Sequence, residues 1–247
     1  MENELGNNLN ILISFRSIDE VSEECIKYLD ILDLKDPDKG AIGSWEIKNL
    51  KKIIRRFGNK IKISATLGDE DKVYKILNKL ELFDSLKLDY IKFGVFTNEI
   101  GQLIFLLNSI KKRKYKTELV PVIFIENKFL RNFVAENIIT FKKFGYNFLL
   151  LDTYSKDTGN IFEICSEAYL KVLLEQSLLN NLSIGLAGKL NLSNIPQLEE
   201  LQPKIVGFRS AVCVDENRKK NLSVSKLKKL YYSITSAKRP AIHAAGA

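Results

Sequence analysis

The stretch Asp30-Ile-Leu-Asp-Leu-Lys-Asp-Pro-Asp-Lys-Gly40 joins a short apolar run to a charged break, and its reading sets that of the whole chain. Side chains alternate faces along an extended strand, so Asp33 and Lys35 point one way while Leu32 and Leu34 point the other. Charges on an inward face persist only when they are paired or used. This strand end is therefore a structural ion pair or part of an active site, and what decides between them is how often the pattern returns.

It returns along the chain. Strand-like runs at 10–15, 31–35, 60–65, 90–93, 119–125, 148–151, 182–187 and 205–208 are separated by segments of helical period. Ser17 with Glu20 reads as a capping box opening a helix through Val21, Cys25 and Tyr28. Further helices are predicted around Ile47, Leu50, Ile53 and Ile54, around Val73, Ile76, Leu77 and Leu80, and over 100–110, 129–144 and 161–179. Eight strands with intervening helices in 247 residues, close to the ~250 typical of the architecture, predict an α/β fold: a single (β/α)8 TIM barrel over 1–247. The polar lead 1–9 and the small-residue tail, about 236–247, are expected to pack loosely.

Composition removes several function classes. Residues that are 45% hydrophobic and 28% charged make a soluble chain with a large core. A net charge of +8 raises nucleic acid as a partner. Its basic residues are scattered, however, and the densest runs, Lys48 to Arg56 and Lys111 to Lys116, have no interleaved aromatic platform. They read as solvated helix faces, so no nucleic acid is expected, and a small phosphorylated substrate explains part of the charge. Cys25, Cys165 and Cys213 are odd in number and too widely spaced for a disulfide framework or a zinc site, which fits a reducing compartment. No apolar run approaches the roughly 20 residues of a membrane span, so no membrane partner and a cytoplasmic location are expected. The single histidine, His243, lies in the tail, which leaves acid–base work to Lys, Asp, Glu or Tyr.

In a barrel of this kind the active site lies at the C-terminal ends of the strands. Those ends are unusually charged here: Asp33 and Lys35 from the second strand, Lys92 from the fourth and Asp152 from the sixth, with Lys156 and Asp157 just beyond it. Ser64 or Thr66 from the third strand is nearby. A lysine attacks a carbonyl only as the neutral amine, and its free pKa near 10.4 leaves it almost wholly protonated at pH 7. Neighbouring ammonium groups disfavour the charged form, so a lysine cluster suits Schiff-base chemistry, with the aspartates moving protons. A ring of structural ion pairs closing the core is the alternative. At the last two strands Gly188 and Gly207 let backbone N–H groups approach an anion, and Lys189, Arg209, Ser210 and Arg218 add charge or a hydroxyl where this fold usually binds phosphate.

Six segments in order carry a resemblance: Asp33-Leu-Lys-Asp-Pro-Asp-Lys-Gly-Ala-Ile-Gly43, Ser64-Ala-Thr-Leu-Gly-Asp69, Asp89-Tyr-Ile-Lys-Phe-Gly94, Leu151-Asp-Thr-Tyr-Ser-Lys-Asp157, Leu186-Ala-Gly-Lys-Leu190 and Val206-Gly-Phe-Arg-Ser-Ala-Val-Cys213. Together they resemble the (5-formylfuran-3-yl)methyl phosphate synthase family, also called 4-(hydroxymethyl)-2-furancarboxaldehyde-phosphate synthase. The resemblance implies a lyase that condenses two molecules of glyceraldehyde 3-phosphate into a furan aldehyde phosphate towards methanofuran, with no metal or organic cofactor. By motif position Lys35 looks like the Schiff-base lysine and Lys92 like the proton acceptor, while Asp33, Asp152 and Lys156 match the remaining catalytic charges. Lys156 also sits close to the strand-six position that many Schiff-base aldolases use, so two lysines are candidates for the imine. Another Schiff-base aldolase acting on sugar phosphates is the alternative function. The chain departs from the family pattern in the charged segment 70–75, in Lys189 where a small polar residue is more usual, and in the extra lead 1–9. The sequence leaves the oligomeric state open; Phe129, Phe133 and Phe141, if exposed, leave room for a helix-face interface in a homo-oligomer.

Overall fold

Parallel neighbours need a crossover of a dozen or more residues between them, and this chain supplies one after every strand. The computed structural model describes residues 9–155 and 158–236. Among them, β1 (Asn10–Phe15), β2 (Ile31–Leu34), β3 (Lys62–Thr66), β4 (Tyr90–Gly94), β5 (Glu118–Phe124), β6 (Phe148–Asp152), β7 (Ser183–Leu186) and β8 (Ile205–Phe208) pair in parallel in chain order. β8 then pairs with β1 and closes the barrel. The predicted (β/α)8 barrel is the observed one, with strand limits shifted by a residue or two. Lys156, Asp157, most of the lead and the tail from 237 lie outside the described residues.

The helices form because apolar residues recur at helical spacing and are buried against the strands. α1 (Ile47–Phe57) buries Leu50, Ile53 and Phe57; α2 (Val73–Asp84) buries Ile76, Leu80 and Phe83; α3 (Ile100–Lys111) buries Leu103, Leu106, Leu107 and Ile110. α4 (Lys128–Lys143), α5 (Ile161–Ile164), α6 (Glu167–Leu179), α7 (Ile195–Leu201) and α8 (Val224–Ser236) complete the outer layer. Outward-facing strand residues such as Ile11, Ile13, Leu32, Ile91 and Phe93 join these helices in the larger core. The barrel interior is a second, smaller apolar cluster of Val120, Val122, Phe124, Leu150 and Ala187. It occupies the β5–β7 side, whereas β1 to β4 turn Ser14, Asp33, Ser64, Thr66 and Lys92 inward and bury all five. The interior is therefore mixed, with apolar packing towards β5–β7 and buried polar groups towards β1–β4, which Asp152 at the end of β6 faces across the mouth.

Three local expectations are corrected. Between β1 and β2 there is no α-helix but two 3-10 turns, Ile18–Glu20 and Cys25–Tyr28, and Ser17 makes no side-chain cap. The reason is that Glu20 turns inward: its carboxylate accepts the N–H of Arg16 at 2.8 Å and binds the Arg209 guanidinium, so it is not available to complete a capping box. The single long helix over 161–179 is broken at Cys165, and Ser166 restarts it by accepting the N–H of Tyr169. The aromatic face of α4 is not a surface. Phe141 is fully buried, Phe133 nearly so, and Phe129 is half-buried with its ring stacked on Phe133. No described helix is long and apolar enough to cross a membrane.

Truncation distinguishes a core aromatic from an interface one. Phe141→Ala is expected to lower the free energy of unfolding by about 3–5 kcal/mol in a urea titration, where an exposed position would change it by no more than about 0.5 kcal/mol.

Candidate active site

The site is built outward from Asp33, the last inward residue within β2. Strand register sets Asp33 beside Ser14 of β1 and Ser64 of β3. Both hydroxyls donate to its carboxylate, Ser14 Oγ to Oδ2 at 2.7 Å and Ser64 Oγ to Oδ1 at 2.5 Å. Lys92, one strand further round, places Nζ 2.7 Å from Oδ1. Lys35 continues the inward face past the end of β2, its N–H bonded to Phe15 O at 3.1 Å, and reaches across the mouth to Asp152 Oδ2 at 3.1 Å. The other Asp152 oxygen accepts the N–H of Thr153 at 2.8 Å. Two lysine–carboxylate pairs thus lie side by side in the barrel mouth, as the alternating charges of 33–35 predicted.

Their environments differ. The Lys92 side chain is 3% exposed and Asp33 not at all, whereas the Lys35 side chain is 11% exposed. Burial works against the charge on Asp33, but the ammonium groups of Lys92 and Lys35, with the hydrogen bonds from Lys92 and Ser64, outweigh it and hold the carboxyl below the usual carboxylate range. Burial also disfavours the charge on Lys92; with the repulsion of the nearby Lys35 ammonium, it holds this lysine below the usual range despite Asp33 and Asp152. The interior therefore contains a fixed carboxylate and a lysine biased towards the neutral amine. The bias comes from desolvation first and from the second lysine after it.

A cavity opens beside the two pairs, lined by Lys35, Lys92 and Asp152 on one side and by Gly188, Lys189, Gly207, Ser210 and Arg218 on the other. Lys189 Nζ donates to the Thr158 carbonyl. Arg218 lies over the β2 side of the mouth, with Nη2 donating to Gly40 O at 2.9 Å. Arg209 also lines the cavity, but its geometry differs from the expected phosphate ligand. Nη1 and Nη2 clamp the Glu20 carboxylate at 2.7 and 2.9 Å, and the remaining N–H groups go to Ser14 O, Arg218 O and Lys220 O. All five donors are engaged by the protein, so Arg209 straps the β8 loop to β1. Ser64 is likewise spent on Asp33, buried and absent from the cavity lining.

Several residues that position the site were missed in reading the strand ends. Ser14 was hidden because it is uncharged, although it occupies the same inward row of β1 as Leu12. Glu20 mimicked a helix cap. Glu126, two residues past β5, has one carboxylate oxygen that accepts the N–H of Tyr154 at 2.8 Å, the N–H of Ser155 at 3.1 Å and the Thr158 hydroxyl at 3.0 Å. It thereby fixes Tyr154 and Ser155 on one side and Thr158 on the other of Lys156 and Asp157, which lie outside the described residues. Charge at the end of the fifth strand was the available clue.

A closed parallel barrel whose buried lysines and carboxylates converge on the C-terminal rim belongs to the class of (β/α)8 proteins that carry their reactive groups there. In fold it is similar to phosphoribosyl anthranilate isomerase from Thermus thermophilus (TM-score 0.62, 13% identity, 93% of this chain and 100% of that one). It is equally similar to 3-hexulose-6-phosphate synthase (TM-score 0.61, 12% identity, 92% and 100%). At such identities the likeness is one of fold alone. Sequence goes further: the 4-HFC-P synthase family model matches residues 11–231, and the chain belongs to that family. Among its relatives, the (5-formylfuran-3-yl)methyl phosphate synthase of Archaeoglobus fulgidus is 24% identical over 215 residues, covering 83% of this chain and 91% of that protein. The protein of the same name from Methanosarcina acetivorans is 26% identical over 221 residues, covering 85% and 93%.

Removing one partner of a buried pair strands the other charge. Lys92→Met is expected to cost about 3–5 kcal/mol of stability and to change acid unfolding in a definite direction. Because the folded Asp33 carboxyl is held low, its stabilising contribution is present above its unfolded pKa and is lost as pH falls through the folded value. Without Lys92 the folded value rises, so acid unfolding followed by circular dichroism should begin at a higher pH than in the parent protein.

Proposed function

We propose that this protein condenses two molecules of glyceraldehyde 3-phosphate through a lysine imine into (5-formylfuran-3-yl)methyl phosphate, with loss of phosphate and water, on the route to the furan of methanofuran. Family membership supports the product, since the relatives carry the name of that activity. The observation that carries the mechanism is the pair of lysine–carboxylate contacts at the mouth, Lys35 with Asp152 and Lys92 with Asp33.

Exposure divides the labour. Lys35 stands at the cavity with part of its side chain open, which suits the amine that must meet a carbonyl carbon. Asp152 beside it can take the proton that the ammonium loses and return one when water leaves the carbinolamine. Lys92, held low by burial, acts as the base that removes the proton next to the imine carbon. Asp33 does not react in this scheme. It keeps Lys92 in place and stabilises the ammonium formed when Lys92 accepts the proton, while the two serines orient it. The imine serves as electron sink, and the resulting enamine adds to the aldehyde of the second triose phosphate; elimination and ring closure then give the aromatic product. Gly188, Lys189, Gly207, Ser210 and Arg218 form the phosphate-facing wall, and the cavity links it directly to the lysines.

Borohydride reduction in the presence of triose phosphate, followed by peptide mass mapping, tests the assignment. The adduct is expected on Lys35 and should vanish in Lys35→Ala; an adduct on Lys156, or one that survives this substitution, removes Lys35 from the nucleophile role. For the proposed base, Lys92→Ala should retain the adduct while kcat falls on the order of 10²–10⁴-fold.

A further inference from the structure

Gly94 ends β4 on the same inward row as Lys92, two residues further towards the mouth. It contributes no side chain to that row, and the space is filled from elsewhere. A Cβ built there would lie 2.9 Å from Ile42 Cδ1 and 2.4 Å from the Phe96 ring. Ile42 belongs to the loop that follows Lys35, is fully buried, and packs with Ala41 into the interior apolar cluster. Ile42 from the loop and the Phe96 ring thus take the place of a barrel side chain one step beyond Lys92 on this row.

What holds the loop there is β3 and its extension. Thr66 Oγ1 donates to Gly43 O at 2.9 Å. Asp69, just past the strand, accepts the N–H of Ile42 at 2.9 Å on one carboxylate oxygen and the N–H of Ala41 at 3.0 Å on the other. The carboxylate approaches so closely that a Cβ on Gly40 would meet it at 2.3 Å, and Gly40 takes φ +120, a conformation that suits glycine. Asp69 itself is exposed and makes no ion pair among the described residues. Its carboxylate therefore serves the β2–α1 loop rather than the surface.

We propose that Asp69 is a positioning residue for the lysine chemistry: by gripping the backbone of Ala41 and Ile42 it seats Ile42 as the dry wall above Lys92. The inference rests on the proposed reaction for its use, but not for its physics, since a water-excluding wall governs how readily Lys92 holds a proton whatever the substrate. The charged groups facing Lys92 are Asp33 from β2, Lys35 beyond it and Asp152 from β6; the neighbouring walls contribute Ser64 and Thr66 from β3 and Val120 and Val122 from β5, none of them titratable at neutral pH. Hydrating this position favours the ammonium, so opening the wall moves the Lys92 titration upward. Loss of the Asp69 charge acts in the opposite direction, because a nearby negative charge stabilises an ammonium. The two explanations differ in sign.

The test is a pH titration by carbon NMR of full-length protein labelled at lysine Cε, with the Lys92 resonance assigned by its loss in Lys92→Met. Asp69→Asn keeps the size of the side chain and removes one acceptor; Ile42→Ala keeps the charge and removes the wall. Both are expected to raise the Lys92 midpoint, on the order of one unit out of the 3–5 that full burial produces. Midpoints that stay or fall in both variants overturn the proposal, and a rise in Ile42→Ala alone overturns the role of Asp69. Assays with triose phosphate separate this from the reaction. If the parent protein leaves the substrate unchanged while both variants raise the midpoint, the condensation is wrong and the positioning of Lys92 stands.

Discussion

One buried carboxylate organises the interior. Asp33 has no exposed surface, and an ionised group in that position is costly unless it is surrounded by donors. Two serines from the flanking strands and the ammonium of Lys92 surround it, so three strands are committed to satisfying one side chain. Each contact has a second consequence. The serines are held in the barrel core without unpaired hydroxyls, and Lys92 is retained where burial would otherwise expel it. Charge in this interior constrains strand register, because a one-residue slip of β2 would replace Asp33 and Lys35 with leucines.

The same economy of placement runs round the mouth. Arg209, Glu20, Thr66 and Asp69 spend their polar atoms on backbone groups or on one another, and one Glu126 carboxylate oxygen takes two backbone N–H groups and the Thr158 hydroxyl; together they fix the loops after β2, β6 and β8. Loops that carry reactive groups are set by polar side chains from neighbouring strand ends, a precise arrangement that does not rely on the core alone. Lys35 and Lys92 consequently differ in burial although both are lysines in one pocket. That difference in burial distinguishes two residues of one type within a single pocket.

Much of this was legible in the sequence because barrel strands display their function at predictable places. Alternation in 31–35 and the charged ends of the fourth and sixth strands were sufficient to collect Asp33, Lys35, Lys92 and Asp152, and the order of the apolar runs was sufficient for the fold. Gly188 and Gly207, which line the cavity, were legible for the same reason. For Arg209 the sequence shows that a guanidinium is present and not how many of its donors the fold engages. Glu20 was misread because a carboxylate three residues after a serine satisfies the local rule for a helix cap, and the partner that overrides it lies 189 positions away. The break at Cys165 was hidden in an apolar run that helical periodicity joins smoothly. The aromatic residues of α4 gave the right spacing but no indication of which way the helix face turned. In each case a contact distant in sequence decided among locally reasonable alternatives.

Two lysine–carboxylate pairs in one barrel mouth are proposed to build a furan from a single substrate. Incubation of the purified protein with glyceraldehyde 3-phosphate alone, followed by mass analysis and an ultraviolet spectrum of the product, tests that claim most directly. The account predicts (5-formylfuran-3-yl)methyl phosphate, inorganic phosphate and a new ultraviolet band. A linear sugar bisphosphate without that band, or unchanged substrate, would contradict it.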